Sequence, residues 1–251
     1  MNSIILMLKR EFMVFSHHYL KNLFFLVMFP MFMFLCISMP LYEVISVPAL
    51  NYLHWSIPGI LILTSSIVCV NHCIRQVLLL RDKNQHYQVF IKSPLSLGNI
   101  MGGIYVVSII YGILQFIIGA TILSLVNPGV FSIMQCFFIF IQTLAFLLFI
   151  GSVALFLGFF ISNEEMIAFV LILIFLVVAF AFGSLLPIEL FPVELSSYLK
   201  AIPMVTIIMN AQRILYMELP LYFGMFISIA IGIVVYLIAI ILAYKTLRKQ
   251  S

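Results

Sequence analysis

Charged residues are scarce in this 251-residue sequence, which has 12 basic and 8 acidic side chains, or 8% of the chain. A soluble globular domain carries about 25% charged residues, so this chain has too little charge to cover a water-exposed surface. That scarcity excludes a soluble enzyme, a disordered tail and a disulfide-stapled secreted domain. What the sequence has instead is 65% hydrophobic residues and a mean hydropathy of +1.27. It therefore predicts an integral membrane protein.

The apolar residues occur in long runs rather than in short alternating segments, which favours membrane helices over a β-barrel. Because a membrane helix needs about 20 apolar residues, charges and turn signals mark the ends of the spans. The charge-free run from Ser93 to Asn163 is too long for one helix, and Asn127-Pro128-Gly129 supplies a turn near its middle. We predict one all-α domain over residues 1–251. Its six spans lie at about 22–42, 52–74, 97–126, 131–161, 166–187 and 219–244.

The basic residues indicate how these spans are oriented. Six spans place both termini on the same side, and every Lys and Arg except Lys200 and Arg213 falls on that side. By the positive-inside rule, both termini are predicted to be cytoplasmic. No basic cluster of the kind that binds nucleic acid is present.

Residues 1–20 precede the first span and are predicted to form an amphipathic helix at the cytoplasmic interface. Leu8, Phe12, Phe15 and Tyr19 recur at helical spacing, with basic residues mostly away from that stripe. The alternative is an ordinary basic N-terminus that obeys the positive-inside rule. The candidate residues of this interfacial helix are Lys9, Arg10, Glu11 and Phe12.

The most polar stretch of the chain, residues 75–96, lies between spans two and three on the cytoplasmic side. Its basic and amide residues alternate with apolar ones, so it can be helical with one face in water. We interpret it as a docking surface for a soluble partner, with an ordinary cytoplasmic loop as the alternative. The candidate docking residues are Arg81, Asp82, Lys83, Asn84, Gln85 and Lys92.

The outer connection between spans five and six, residues 188–218, is too long for a turn and too broken for a span. Its prolines and short polar piece favour a re-entrant hairpin of two short helices that dip into the outer leaflet. Arg213 at mid-bilayer would cost ~2.5–3.5 kcal/mol, so we expect it at the interface, snorkelling or paired with a glutamate. The glutamates within reach are Glu189, Glu194 and Glu218. The candidate residues of this segment are Glu189, Glu194, Asn210 and Arg213.

Several kinds of chemistry have no signature in the sequence. There is no GxxxxGK[ST] motif, so the chain is not expected to bind nucleotide, and no HExxH motif. The serines of the predicted spans have no histidine or aspartate at a similar depth, which argues against a serine hydrolase. The run 93–163 contains no ionisable residue of the kind that couples transport to an ion gradient. We therefore predict that the chain is not an enzyme and that any transport draws its energy from elsewhere.

One constellation supports a different class of function. Cys69, His72 and Cys73 share one helix face, and thiolate with imidazole suits a soft metal. A haem would need a histidine pair on facing helices, whereas His54 and His72 lie ~27 Å apart on one helix. A metal- or haem-handling membrane protein is therefore the alternative function, and plain helix packing is the simpler explanation of these residues. A purely structural assembly subunit is a third possibility.

Five stretches of the sequence, in this order and with this topology, resemble one family of membrane proteins. They are LKREF (8–12), SIPGILILTSS (56–66), RDKNQHYQVFIKSPLSLGNIMGG (81–103), LPIELFP (186–192) and AQRILY (211–216). Together they resemble the ABC-2 type permeases, the membrane subunits of ATP-driven exporters. One departure is Ile202-Pro203-Met204, where the family commonly has Asn-Pro before its last outer helix.

The resemblance implies a transport subunit of the bacterial-type plasma (inner) membrane. The substrate would be amphiphilic, drug-like, lipid-linked or a polysaccharide. The chain would pair with a second copy of itself or a related permease, among membrane lipids, and with two copies of a separate ABC ATPase. No cofactor is expected on this chain, because ATP and Mg²⁺ would bind to the ATPase. The loop around Arg81–Lys92 would be the coupling helix that docks on it.

Overall fold

The fold is entirely helical in the part of the chain that the computed structural model describes. That part comprises residues 9–11, 13, 16–17, 19–45, 51–81, 96–216 and 222–248, and it contains no β-strand. Six of its helices are long and apolar enough to cross a membrane. The predicted all-α fold with six spans, and the organisation as a multi-pass membrane protein, are confirmed at this level.

The described helices occur in the following order along the chain. The first span joins α1 (Tyr19–Met33), a π-helical turn (Phe34–Ser38) and α2 (Met39–Val44). The fifth joins α6 (Glu164–Leu176) to a π-helical turn (Val177–Ala181), and a 3-10 turn (Ile188–Leu190) follows it. The other helices are α3 (Tyr52–Arg81), α4 (Leu97–Val126), α5 (Ile133–Leu157), α7 (Val193–Ala201), α8 (Pro203–Ile214) and α9 (Tyr222–Arg248).

Helix α3 is the central helix of the bundle. Its most apolar stretch is 78% buried, and it packs against α1, α4, α5, α6 and α8. The corresponding stretches of the fifth and sixth spans are only 22% and 17% buried. These two spans therefore turn wide apolar faces outward, toward lipid or another chain.

Small residues allow close packing between helices of this same chain. A Cβ atom on Gly158 would lie 2.8 Å from the Val77 side chain, so the end of α5 presses against α3. Gly232 of α9 similarly faces the α5 backbone, with Phe149 Cα at 3.2 Å from its ideal Cβ position. At Gly158 and Gly232, the absence of a side chain thus permits close contacts within the chain.

The observed ends of the helices follow the local capping signals. Ser132 and Gln135 form a reciprocal capping box at the start of α5, and the Asn163 side chain accepts from Met166 N at the start of α6. The predicted turn at Asn127-Pro128-Gly129 is present, with Gly129 at φ +85°. Gly is favoured there because L side chains rarely adopt that φ.

Two predicted boundaries need correction. Helix α3 continues through Arg81, so residues 75–81 belong to the helix and not to the connection that was predicted to begin at 75. The fifth span ends at Ala181 rather than near 187, and Gly183, at φ +82°, begins a non-helical stretch. Polar side chains do not by themselves end a helix, because its backbone hydrogen bonds can also form where the helix is surrounded by water.

Candidate functional site

The described residues of the predicted interfacial helix and Arg81, one of the predicted docking residues, lie at one end of the bundle, which we call the Arg81 end. Here α3 and α5 end and α4 begins. Lys9, Arg10 and Glu11 are helical, and Arg81 closes α3. The other predicted residues of this end, Phe12, Asp82, Lys83, Asn84, Gln85 and Lys92, lie outside the described residues.

Glu11 is buried at the Arg81 end with only 7% of its surface exposed. Its carboxylate reaches α3, where Oε2 lies 3.2 Å from His72 Nε2 and Oε1 accepts from Gln76 Nε2 at 3.2 Å. His72 and Gln76 are one turn apart on α3, so they present their side chains to the same place. The N-terminal helical segment is therefore joined to α3 by a buried carboxylate.

Arg10 completes this cluster from the surface side. Its Nε donates to Glu11 Oε1 at 3.0 Å, and its Nη2 donates to Gln76 Oε1 at 2.6 Å. Gln76 thus accepts from Arg10 and donates to Glu11, which uses both ends of its amide. We call Arg10, Glu11, His72 and Gln76 the Glu11 cluster.

The cluster keeps Glu11 ionised. Burial by itself raises the pKa of this carboxyl, but its hydrogen bonds and electrostatic interactions with His72 and Arg10 outweigh that effect and lower the pKa below its usual value. A carboxylate buried with three donors is held far more firmly than an exposed ion pair would be.

His72 also contacts α4 through its other ring nitrogen. Nδ1 lies 3.0 Å from Ser108 Oγ, and the ring stacks on Tyr111 with centroids 4.3 Å apart. The expectation that no span serine has a histidine at its depth is therefore wrong. The sequence could not show the pairing, because Ser108 and His72 lie on different helices.

Ser108, His72 and Glu11 line up like a hydrolase triad, but Ser108 is not placed to act as a nucleophile. Its side chain is fully buried, and its hydroxyl donates to Ile104 O at 2.8 Å within α4. The surrounding backbone N–H groups belong to the helix, so none is available to stabilise an oxyanion. The geometry is that of a structural polar network.

In the described part of the chain, His72 and Cys73 of the alternative metal site have other neighbours. Both ring nitrogens of His72 face Ser108 and Glu11, and the Cys73 thiol lies 3.7 Å from Gly151 O on α5. Cys69 is fully buried in the same core. In the described part of the chain, no three His, Cys, Asp or Glu side chains are grouped so as to hold a metal ion.

Arg81, predicted as a docking residue, binds the end of α5 in its own chain. Its Nη1 donates to Gly158 O at 3.1 Å and to Ile161 O at 2.7 Å. Carbonyls at a helix C-terminus have no intrahelical partner and attract cations, so this is a favourable position for a guanidinium. Arg81 therefore fastens the last turn of α3 to the α5–α6 connection.

The predicted outer residues lie at the opposite end of the bundle, which we call the Tyr52 end. Glu189 is in the 3-10 turn and forms an ion pair with Lys200 at 3.5 Å. Glu194 is exposed in the first turn of α7. Asn210 is buried on α8, and Arg213 is half-buried in its last turn. The two predicted short helices are present as α7 and α8; their depth in a membrane stays a prediction.

A stretch that the sequence did not single out, residues 183–185, is held from two sides at the Tyr52 end. The Tyr52 hydroxyl donates to Leu185 O at 2.6 Å, and Gln212 Nε2 of α8 donates to Gly183 O at 2.8 Å. Both side chains are buried. The stretch after the fifth span is thus fixed between α3 and α8.

Gln142, which is 1% exposed on α5, gives a prediction about stability. No donor in the described part of the chain reaches its Oε1, and an unpaired buried polar group is unfavourable. We expect Gln142→Leu to stabilise the protein by about 1–2 kcal/mol, measured as a higher unfolding temperature in detergent. The control is Thr143→Val on the same helix, which removes the bond from the buried Thr143 hydroxyl to Ile139 O and should not stabilise. Equal stabilisation by both substitutions would contradict this explanation.

Comparison with known proteins adds no relative. No protein-family model matches the sequence, and no curated protein matches it significantly. The function must therefore be argued from the architecture and the polar contacts at the two ends of the bundle.

Proposed function

We propose that this chain is the membrane-spanning permease subunit of an ATP-driven exporter of the ABC-2 type. The observation that carries the proposal is the order of the elements. A helical N-terminal segment comes first, followed by six membrane-length helices, with two short helices between the fifth and the sixth. The resemblance of the sequence to ABC-2 permeases follows that same order. Its substrate is amphiphilic, drug-like, lipid-linked or a polysaccharide.

The position of the charges supports an external energy source. In the described spans, Asp, Glu, Lys and Arg occur only near the helix ends, such as Lys21, Glu43 and Arg75. A gradient-driven carrier normally has an ionisable residue within the bundle at mid-depth. The buried polar residues at mid-depth are instead uncharged, Gln115 and Gln142 among them.

Residues 82–95 are the proposed docking segment, since they follow α3 directly and contain the basic and amide residues of the sequence prediction. Two copies of an ATPase would bind a pair of such permeases from the cytoplasmic side, with both termini on that side. ATP can shift the permease only through contacts that differ between its two states. The segment after Arg81 is where such contacts would be made.

Copurification tests this proposal directly. A tagged chain, extracted from its native membrane in mild detergent, is expected to bring down an ABC ATPase, and the chain alone should hydrolyse no ATP. Lys83→Glu with Lys92→Glu should lower the ATPase recovered by about tenfold, which corresponds to 1.4 kcal/mol of binding. The matched control is Lys200→Glu, an exposed cation at the Tyr52 end, which should leave the recovery unchanged.

Two outcomes would contradict the proposal. One is that no ATPase accompanies the wild-type chain although the spans remain folded. The other is that Lys200→Glu reduces recovery as much as the double substitution, since docking would then not depend on the proposed segment.

A further inference from the structure

We infer that Glu11 is a positioning residue that joins the N-terminal helical segment to α3, so that the two move as one body when the docking segment moves. The inference rests on the proposed function for the origin of that movement. The joint itself depends only on the contacts at the Arg81 end.

The joint is specific because it is buried and has several donors. Glu11 accepts from Arg10, His72 and Gln76, and it is the one buried side chain among the described residues 9–11, 13 and 16–17. Sliding the segment along α3 by one turn would separate the carboxylate from both of its α3 partners. A buried unpaired carboxylate is strongly unfavourable, so this register is selected.

The position of the joint along α3 gives it a role in transmission. His72 and Gln76 lie on the last three turns of α3, and Arg81 at its end holds Gly158 and Ile161 beyond α5. The end of α3 is therefore fastened to the N-terminal segment on one side and to the α5–α6 connection on the other. Its next residues in sequence are the proposed docking segment. Through these bonds, a displacement of the docking segment would reach α3, the N-terminal segment and the α5–α6 connection.

The charged and titratable groups around His72 come from three elements. Arg10 and Glu11 approach from the N-terminal segment, Tyr111 from α4, and Cys69 and Cys73 from α3 itself. Arg10 and Glu11 both bond within the N-terminal segment and to α3, but of the two only Glu11 is buried and bonds to two residues of α3. It is therefore the residue whose replacement should release the segment.

Hydrogen–deuterium exchange of the purified chain in lipid nanodiscs, without any ATPase, tests the joint. Glu11→Gln keeps the size of the side chain and removes its charge. It is expected to raise amide exchange in peptides covering residues 9–17 by about tenfold, the factor given by a loss of 1.4 kcal/mol. The double variant in which the two side chains are swapped, Glu11→His with His72→Glu, should return amide exchange to within about twofold of wild type. Arg75→Gln, an exposed neighbour of Gln76, is the matched control and should have no effect.

Unchanged exchange in Glu11→Gln would overturn the inference. If Glu11→Gln instead raises amide exchange in every helix, the swapped double variant decides. Restored protection from amide exchange in that variant supports the joint, and persistently fast amide exchange overturns it.

A second measurement separates this inference from the proposed function. In the complex with the ATPase, ATP with vanadate should alter exchange of residues 9–17 in wild type but not in Glu11→Gln, although the ATPase stays bound. An equal response in both would overturn the transmission role. Absence of any ATPase would contradict the proposed function while leaving the nanodisc result valid.

Discussion

Replacing Gly59 by valine is expected to abolish the folded state, and Gly59→Ala is expected to lower the stability by about 3 kcal/mol or more. The reason is the approach of α3 to the backbone of Ser184. A Cβ atom on Gly59 would lie 2.0 Å from Ser184 O and 2.7 Å from its carbonyl carbon. No side-chain rotation relieves a clash with backbone.

The Ser184 backbone cannot easily move away. Its neighbours are held by buried side chains, Gly183 O by Gln212 and Leu185 O by Tyr52. An added methyl group must therefore displace α3 or break both of these bonds. Each alternative disturbs the centre of a tightly packed bundle, where even one extra methylene is felt.

The measurement is thermal unfolding of the detergent-purified protein, followed by the loss of monodisperse material on size exclusion. Gly59→Ala should lower the midpoint by about 6–12 °C, at roughly 2–4 °C per kcal/mol for a chain of this size. Gly98→Ala is the matched control, since among the described residues its Cβ would meet only the Tyr244 hydroxyl, at 3.8 Å. A midpoint that falls equally in both variants would show that loss of glycine, and not the contact with Ser184, is responsible.

Arg81→Met is expected to lower the stability by about 1–3 kcal/mol, the second large effect. The substitution keeps an apolar stem of similar length but removes the donor to Gly158 O and Ile161 O. At the same 2–4 °C per kcal/mol, the midpoint of thermal unfolding should fall by about 2–12 °C.

Two further variants of α3 define the origin of that loss. Arg81→Lys retains a cation near the end of α5 but only a single nitrogen, so it should recover part of the stability. Arg75→Met removes an exposed arginine from the same helix and should have little effect. If Arg75→Met proved as destabilising as Arg81→Met, the contact with α5 would not be the cause.

The spans were predictable because their signal is local. A membrane helix requires a sufficiently long apolar run, and the predicted span at 97–126 agrees with the observed α4 at both ends. The Asn163 cap and the Gly129 turn were also predictable, since each depends on a side chain or a φ angle within a few residues. The end of α3 was predicted too early, because polar side chains indicate where the chain is exposed to water and not where the helix ends.

The polar contacts at the two ends were not predictable, because their partners are far apart in sequence. The sequence indicates Glu11 as a residue of the basic N-terminal segment and His72 as part of a possible metal motif, but it does not connect the two. The sequence signal for this pair is one acid before the first span and a histidine near the end of the second. The sequence predicts a docking role for Arg81 but does not show that its side chain bonds to carbonyls beyond the end of α5.

The amino-acid sequence by itself determined that this protein is a helical membrane protein with six spans. Each span forms its backbone hydrogen bonds within itself, and the length of its apolar run matches the thickness of the bilayer, so both requirements are local. Only the tertiary structure decided which distant groups meet: the side chains of Glu11 and His72, Arg81 with carbonyls at the end of α5, and Gly59 with the Ser184 backbone. Those choices depend on helix rotation and depth, which packing between helices determines and apolar runs leave open. The few charges that mark the ends of the spans therefore also hold α3 to the N-terminal segment and to α5.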